Sequence, residues 1–144
     1  MPGTLWAAAI GALALVQAPA PEPAATPADV VDAQFKALAE HRKDVTQQGR
    51  FRGSLDEDAR VTQTLTLTAG ATYLVAAGCD ADCSDLDLWI RGPDGAVVGE
   101  DAGDDDVPVA QFTAPASGDY RLEVLMAACG KAPCRYGLEV YRLP

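Results

Sequence analysis

Residues 60–68 read RVTQTLTLT. Val61, Leu65 and Leu67 fall on one face, and Thr62, Thr64, Thr66 and Thr68 on the other. A period of two built from β-branched and apolar residues predicts a half-buried β-strand. Such a strand cannot cover its apolar face alone, so the flanking sequence must supply partners.

Downstream, partners follow at short intervals. Ala69-Gly70 makes a turn, and Tyr73 to Gly78 (YLVAAG) is a second, more apolar strand. Asp85 to Arg91 (DLDLWIR) places Leu86, Leu88 and Ile90 inward. Gly92-Pro93-Asp94-Gly95 is a hairpin turn, with Gly95 free to take positive φ. Ala96 to Glu100 returns. Val107 to Thr113 (VPVAQFT) is a further strand, with Pro108 marking an edge or a strand start. Ala114 to Gly118 turns the chain. Tyr120, Leu122, Val124 and Met126 then share one face, and Tyr136, Leu138 and Val140 alternate in the final strand. Six or seven short strands separated by turns predict an antiparallel β-sandwich over residues 49–144.

Upstream the period changes. Thr26 suits an N-cap, Pro27 the first helical position and Asp29 the first turn. Val31, Phe35, Leu38 and Val45 recur at helical spacing, with Lys36, Glu40, Lys43 and Asp44 off the stripe. One α-helix is expected over 27–48, its stripe buried on a sheet face or on another molecule. Residues 19–26 form a Pro/Ala linker. Leu5 to Val16 (LWAAAIGALALV) is an apolar run too short to span a bilayer comfortably, and small residues follow it. Residues 1–18 are therefore expected to be a signal peptide, which implies a periplasmic or secreted protein with no membrane attachment once the leader is removed.

Charge narrows the function. The chain has 144 residues and a formal net charge of −10. Nucleic acid and anionic lipid are poor partners for such a surface. A cation, a basic protein or an uncharged polysaccharide fits it better. Catalysis is hard to assemble. His41, the single histidine, lies among charged helix residues, and Ser54, Ser84 and Ser117 lack a nucleophile-elbow context. The chain is accordingly read as no enzyme. A small hydrolase working through paired carboxylates is the catalytic alternative.

The four cysteines form two close pairs, Cys79/Cys83 and Cys129/Cys134. An oxidising compartment makes two disulfides the expectation. Pairing within each loop is preferred, with a cross-link such as Cys79 to Cys134 as its rival. A four-thiolate zinc site fits poorly, because the spacings are wider than the usual C-x2-C.

Strand alternation then places the loops. If successive strands run up and down, loops 79–84, 101–106 and 129–134 share one end of the sandwich. That end would gather Asp80, Asp82, Asp85, Asp101, Asp104, Asp105 and Asp106. Calcium takes about six to eight oxygen ligands, so Asp80, Asp82, Asp101, Asp104, Asp105 and Asp106 are the candidate Ca2+ ligands. The competing reading is solvated turn aspartates that cap backbone amides. Trp89 and Tyr141 fall opposite the inward sets of their strands. They form either an exposed platform for sugars or a surface that the helix covers.

Three stretches resemble a known family. Gly70-Ala71-Thr72-Tyr73-Leu74-Val75, then Asp85-Leu86-Asp87-Leu88 with the turn Pro93-Asp94-Gly95, then Pro115 to Leu122 (PASGDYRL) are similar to strand and hairpin motifs of the bacterial pre-peptidase C-terminal domain. The likeness spans about Gly49 to Arg142. It implies an all-β, jelly-roll-like antiparallel β-sandwich, here with one N-terminal α-helix. It also implies a module of exported enzymes, some members of which bind calcium or polymeric substrates. This chain departs from the pattern in carrying no enzyme domain, and in adding the helix and the two Cys pairs. The expected function is a non-catalytic secreted or periplasmic binding or accessory module for a protein or polysaccharide, stabilised by calcium. A structural envelope protein docking through its helix is a further alternative.

Overall fold

In a computed structural model, residues 27–144 are described, with side chains from residue 30 onward. The expected leader (1–18) and linker (19–26) lie outside the described residues. One helix, α1 (Pro27–His41), precedes eight strands: β1 (Thr46–Leu55), β2 (Arg60–Leu67), β3 (Thr72–Cys79), β4 (Cys83–Arg91), β5 (Val97–Asp101), β6 (Val109–Thr113), β7 (Gly118–Cys129) and β8 (Cys134–Arg142).

The strands form two four-stranded sheets, ordered β1-β8-β3-β6 and β2-β7-β4-β5. All pairings are antiparallel. Consecutive strands mostly change sheet, which is the jelly-roll arrangement. The all-β jelly-roll-like sandwich with one N-terminal helix is therefore the observed fold.

The alternation read from the sequence sets the core. Leu86, Leu88 and Ile90 of β4, Leu122, Val124 and Met126 of β7, and Leu138 and Val140 of β8 are fully buried between the sheets. Each such side chain contributes about 1.5–3 kcal/mol relative to exposure. Tyr73, Phe112 and Tyr120 form a run of rings with centroids 5.9 and 5.8 Å apart. Their phenols are satisfied: Tyr73 Oη accepts from Thr68 N at 3.0 Å, and Tyr120 Oη donates to Ala116 O at 2.6 Å.

Two expectations need correction. The helix ends at His41, not 48, and Val45 sits in the turn that follows it. Residues 46–55, of which 46–48 are expected in the helix and 49–55 in the sandwich without a strand of their own, form β1. Its core-facing positions are Gly49, Phe51, Gly53 and Leu55. Two glycines among four inward positions write no apolar alternation, and the intervening Arg50 and Arg52 read as a solvated stretch. Glycine is required here by space: a β-carbon on Gly53 would stand 2.8 Å from Tyr136 Cε1.

The helix stripe is buried on the sandwich. Val31 and Phe35 pack with Ala76, and Leu38 packs beside them, in a cluster separate from the main core. The surface that a docking helix would present to a partner is thus spent on β3 and β8. No helix among the described residues is long and apolar enough to cross a membrane.

Candidate functional site

Both disulfides close within their own loops, Cys79–Cys83 and Cys129–Cys134. The cross-linked rival is excluded in this structure. Cys83 and Cys129 are register partners on β4 and β7, which brings the two loops side by side. Gly130 N donates to Asp82 O at 2.8 Å, and Leu86 N donates to Asp105 O at 2.9 Å. The three loops predicted to share an end therefore do so. The β1–β2 connection, which crosses between the sheets, joins them, with Cys129 N donating to Glu57 Oε1 at 3.1 Å. The sequence alone does not place that connection.

At this end three of the six candidate calcium ligands, Asp80, Asp101 and Asp105, act as backbone acceptors. Asp80 is buried, its Oδ1 accepting from Asp82 N at 3.1 Å and its Oδ2 from Arg135 N at 2.8 Å. It ties the β3–β4 loop to β8. Asp101 accepts from Gly103 N at 3.4 Å and Val109 N at 2.9 Å, closing the β5–β6 loop. Asp105 Oδ1 accepts from Val107 N at 3.0 Å. Asp82 and Asp104 are exposed, and Asp106 is half-buried. Among the described residues, no group of three His, Cys, Asp or Glu side chains is arranged to hold a metal ion.

Two neighbouring carboxylates are electrostatically unusual. Burial, reinforced by the nearby charges of Asp104 and Asp105, raises the Asp85 carboxyl above its ordinary range, and its Oδ1 is buried without a hydrogen-bond partner. Burial also raises Asp87, with Asp85 adding to the effect and Arg60 opposing it. The sequence offered Asp85 only as one of many acids and gave no signal for Asp87. Both shifts come first from burial, and then from the carboxylates that the folded loops bring near.

The aromatic pair separates. Trp89 lies on the outer face of the β2-β7-β4-β5 sheet, half-buried, with the Arg60 guanidinium 4.9 Å from its ring centroid. Tyr141 lies on the other sheet, buried beside α1. The two do not form one platform, and the helix covers only the Tyr141 side. His41 is exposed at the helix end. Ser117 serves a turn, its Oγ accepting from Ala69 N at 2.8 Å.

The side of α1 facing β1 and β8 opens a groove of about 510 Å³, which the sequence did not reveal. Its floor is an ionic knot around the buried Glu139. Arg52 Nη2 lies 2.6 Å from Glu139 Oε1, and its Nε lies 3.0 Å from Asp32 Oδ1. Arg50 reaches Asp32 at 3.0 Å and Glu139 at 3.6 Å. The Tyr141 hydroxyl donates to Glu139 Oε2, and burial followed by this contact pushes its phenol well above the usual range. The hydrogen bond from Arg52 holds the Asp32 carboxyl below its ordinary value. The Arg52 guanidinium also lies 4.6 Å from the Phe35 ring centroid, which pins the helix to the knot. Lys36, Arg42 and Lys43 line the rim.

No family model matches the chain, and no curated protein matches it. Among solved structures the chain is similar to the crystal structure of PliG from Aeromonas hydrophila, a periplasmic lysozyme inhibitor of g-type lysozyme. The identity is 24% and the TM-score 0.50, over 65% of this chain and 84% of that one. The likeness is one of fold.

Proposed function

We propose that this chain is a non-catalytic, exported binding module whose partner is a protein, and that the acidic loop end is its contact surface. The observation that carries the reading is the convergence of four loops at one end of a rigid sandwich. Two of these are closed by disulfides, and the end is dominated by carboxylates. Loops fixed in this way cost little ordering entropy on binding. A surface of one sign steers a partner of the opposite sign and discriminates against others. The periplasmic inhibitor that shares the fold supports a protein as partner, and the two disulfides support a periplasmic or secreted location. A polysaccharide reading would need the aromatic platform that Trp89 and Tyr141 do not form. Kinship with the pre-peptidase C-terminal domain belongs to the same reading, supported by the shared jelly-roll expectation.

The first partner to test is g-type lysozyme. The chain, immobilised on a biosensor, is expected to bind it at low salt and to weaken as ionic strength rises. Combining Asp104→Asn, Asp105→Asn and Asp106→Asn should lower affinity about tenfold or more through the lost charge. No association with g-type lysozyme, nor with the basic proteins of a periplasmic fraction passed over the same surface, overturns the reading. Calcium stabilisation of the acidic loops is a separate proposal. A rise in melting temperature in calcium but not magnesium supports it, and no shift in either rejects it.

A further inference from the structure

We propose that the groove between α1 and strands β1 and β8 is a binding site for a small organic polyanion carrying carboxylate or phosphate groups. It is a second site, on the face of the sandwich that carries the helix. It is distinct from the acidic loop end and independent of the protein-binding reading.

The argument begins with how the charge is distributed. The chain carries 11 Lys and Arg against 21 Asp and Glu. Five of those cations, Lys36, Arg42, Lys43, Arg50 and Arg52, line this one concavity, against the carboxylates of Asp32 and Glu139 alone. Gathering five like charges around one concavity is locally unfavourable unless something close by offsets them. Glu139 and Asp32 offset the two arginines on the floor. Lys36 and Lys43 make no ion pair among the described residues, and Arg42 only a 4.0 Å contact with Asp44. The carbonyl end of α1 supplies about half a negative charge, too little to neutralise the rim.

The geometry suits recognition. Arg50 is held by two carboxylates while its side chain stays half exposed, so part of a planar donor fork faces the groove already oriented. Guanidinium groups fixed in this way recognise carboxylate and phosphate oxygens in pairs. A volume of about 510 Å³ is the scale of a small-molecule site rather than of a helix or a sugar chain. Phe35 and Tyr141 give the walls an apolar part, which accommodates a carbon skeleton between the anionic groups.

Isothermal titration of the full chain with citrate and with pyrophosphate, each against acetate at matched ionic strength, tests the proposal. Saturable one-to-one binding of either polyanion is expected, with acetate weaker by about tenfold or more for want of paired charges. Preference for citrate assigns a polycarboxylate, and preference for pyrophosphate assigns a phosphorylated ligand. Lys36→Gln, Arg42→Gln and Lys43→Gln combined should lower affinity by about tenfold or more, while exposed sites of this kind leave the unliganded melting curve nearly unchanged. Lys131→Gln, in the loop at the other end, should bind as the parent does. Failure of both polyanions to saturate by about 10 mM, the scale of a negligible affinity, overturns the proposal. Equal binding by the triple variant overturns it as well.

Discussion

Gly78 of β3 and Gly137 of β8 are register partners, and α1 rests directly on the bare backbone between them. A β-carbon on Gly137 would stand 2.6 Å from Phe35 Cε2 and 2.7 Å from Val31 Cγ1, and one on Gly78 would collide with the Gln34 side chain. The glycines are what allow the helix to approach closely enough to bury its stripe. Gly137→Ala should therefore destabilise the chain by about 1–3 kcal/mol through overpacking, measured by urea unfolding. An unchanged midpoint would show that the helix rides on the sheet without being seated in it.

Phe35 makes a related but separable prediction. It belongs to a satellite cluster with Val31 and Ala76, outside the inter-sheet core. Phe35→Ala removes that anchor and its contact with Arg52, at a cost of about 3 kcal/mol to helix docking. Because local units open independently, hydrogen exchange should show α1 losing protection while β4 and β7 keep theirs. Uniform loss across both sheets would mean that helix and sandwich form one cooperative unit.

The ease with which these features could be read from the sequence differs by element. Strands β4 and β7 alternate large apolar and polar residues, because one face of each lines a dry core, and their inward sets are the buried ones; β8 alternates likewise, but its outer face is buried as well, under α1. The placement of three loops at one end followed from strand alternation alone. β1 was hidden because two of its core positions are glycine, and pattern arguments see side chains, not the space a partner's ring occupies. The groove was hidden for another reason. Asp32 and Arg52 are twenty residues apart, and Arg52 and Glu139 are 87 apart, so only the helix docking brings the three together.

The acidic end and the groove should respond to pH in opposite senses. Asp85 and Asp87 have folded pKa values raised above the ordinary 3.8, chiefly by burial. Their contribution is fully present below that value and is lost as the pH rises through the raised ones. Asp32 is lowered by Arg52, so its contribution is present above 3.8 and lost as the pH falls through the lowered value. Asp85→Asn should raise the melting temperature at neutral pH and change little near pH 3, where the parent carboxyl is already neutral. Asp32→Asn should lower it slightly at neutral pH, the ion pair being exposed. A fall in melting temperature for Asp85→Asn at neutral pH would show that its charge is stabilised by an interaction absent from this structure.

The disulfide pattern has a measurable consequence. Each bridge closes a loop of only four or five residues in sequence separation. Loop-closure entropy then gives about 2 kcal/mol apiece, less than a long-range cross-link would. Cys129→Ser with Cys134→Ser should fold and lose at least that amount, because both sulfurs are also buried in the inter-sheet core. Non-reducing peptide mapping should recover the 79–83 and 129–134 pairs, and a peptide joining the two loops would contradict the fold at this end.

β8 follows every other strand in sequence yet lies between β1 and β3, pairing with both. Until it arrives, the sheet beneath the helix exists only as β1 on one side and the β3-β6 pair on the other. Thr46 must wait for Arg142, and the seat for α1 is half missing without Gly137. Closure over so long a separation is slow, because the entropy of ordering the intervening chain precedes any reward. A chain that emerges N-terminus first thus remains without this sheet until residues 134–142 are free to pair. The strand order makes the helix-bearing sheet the last part of the sandwich that can close.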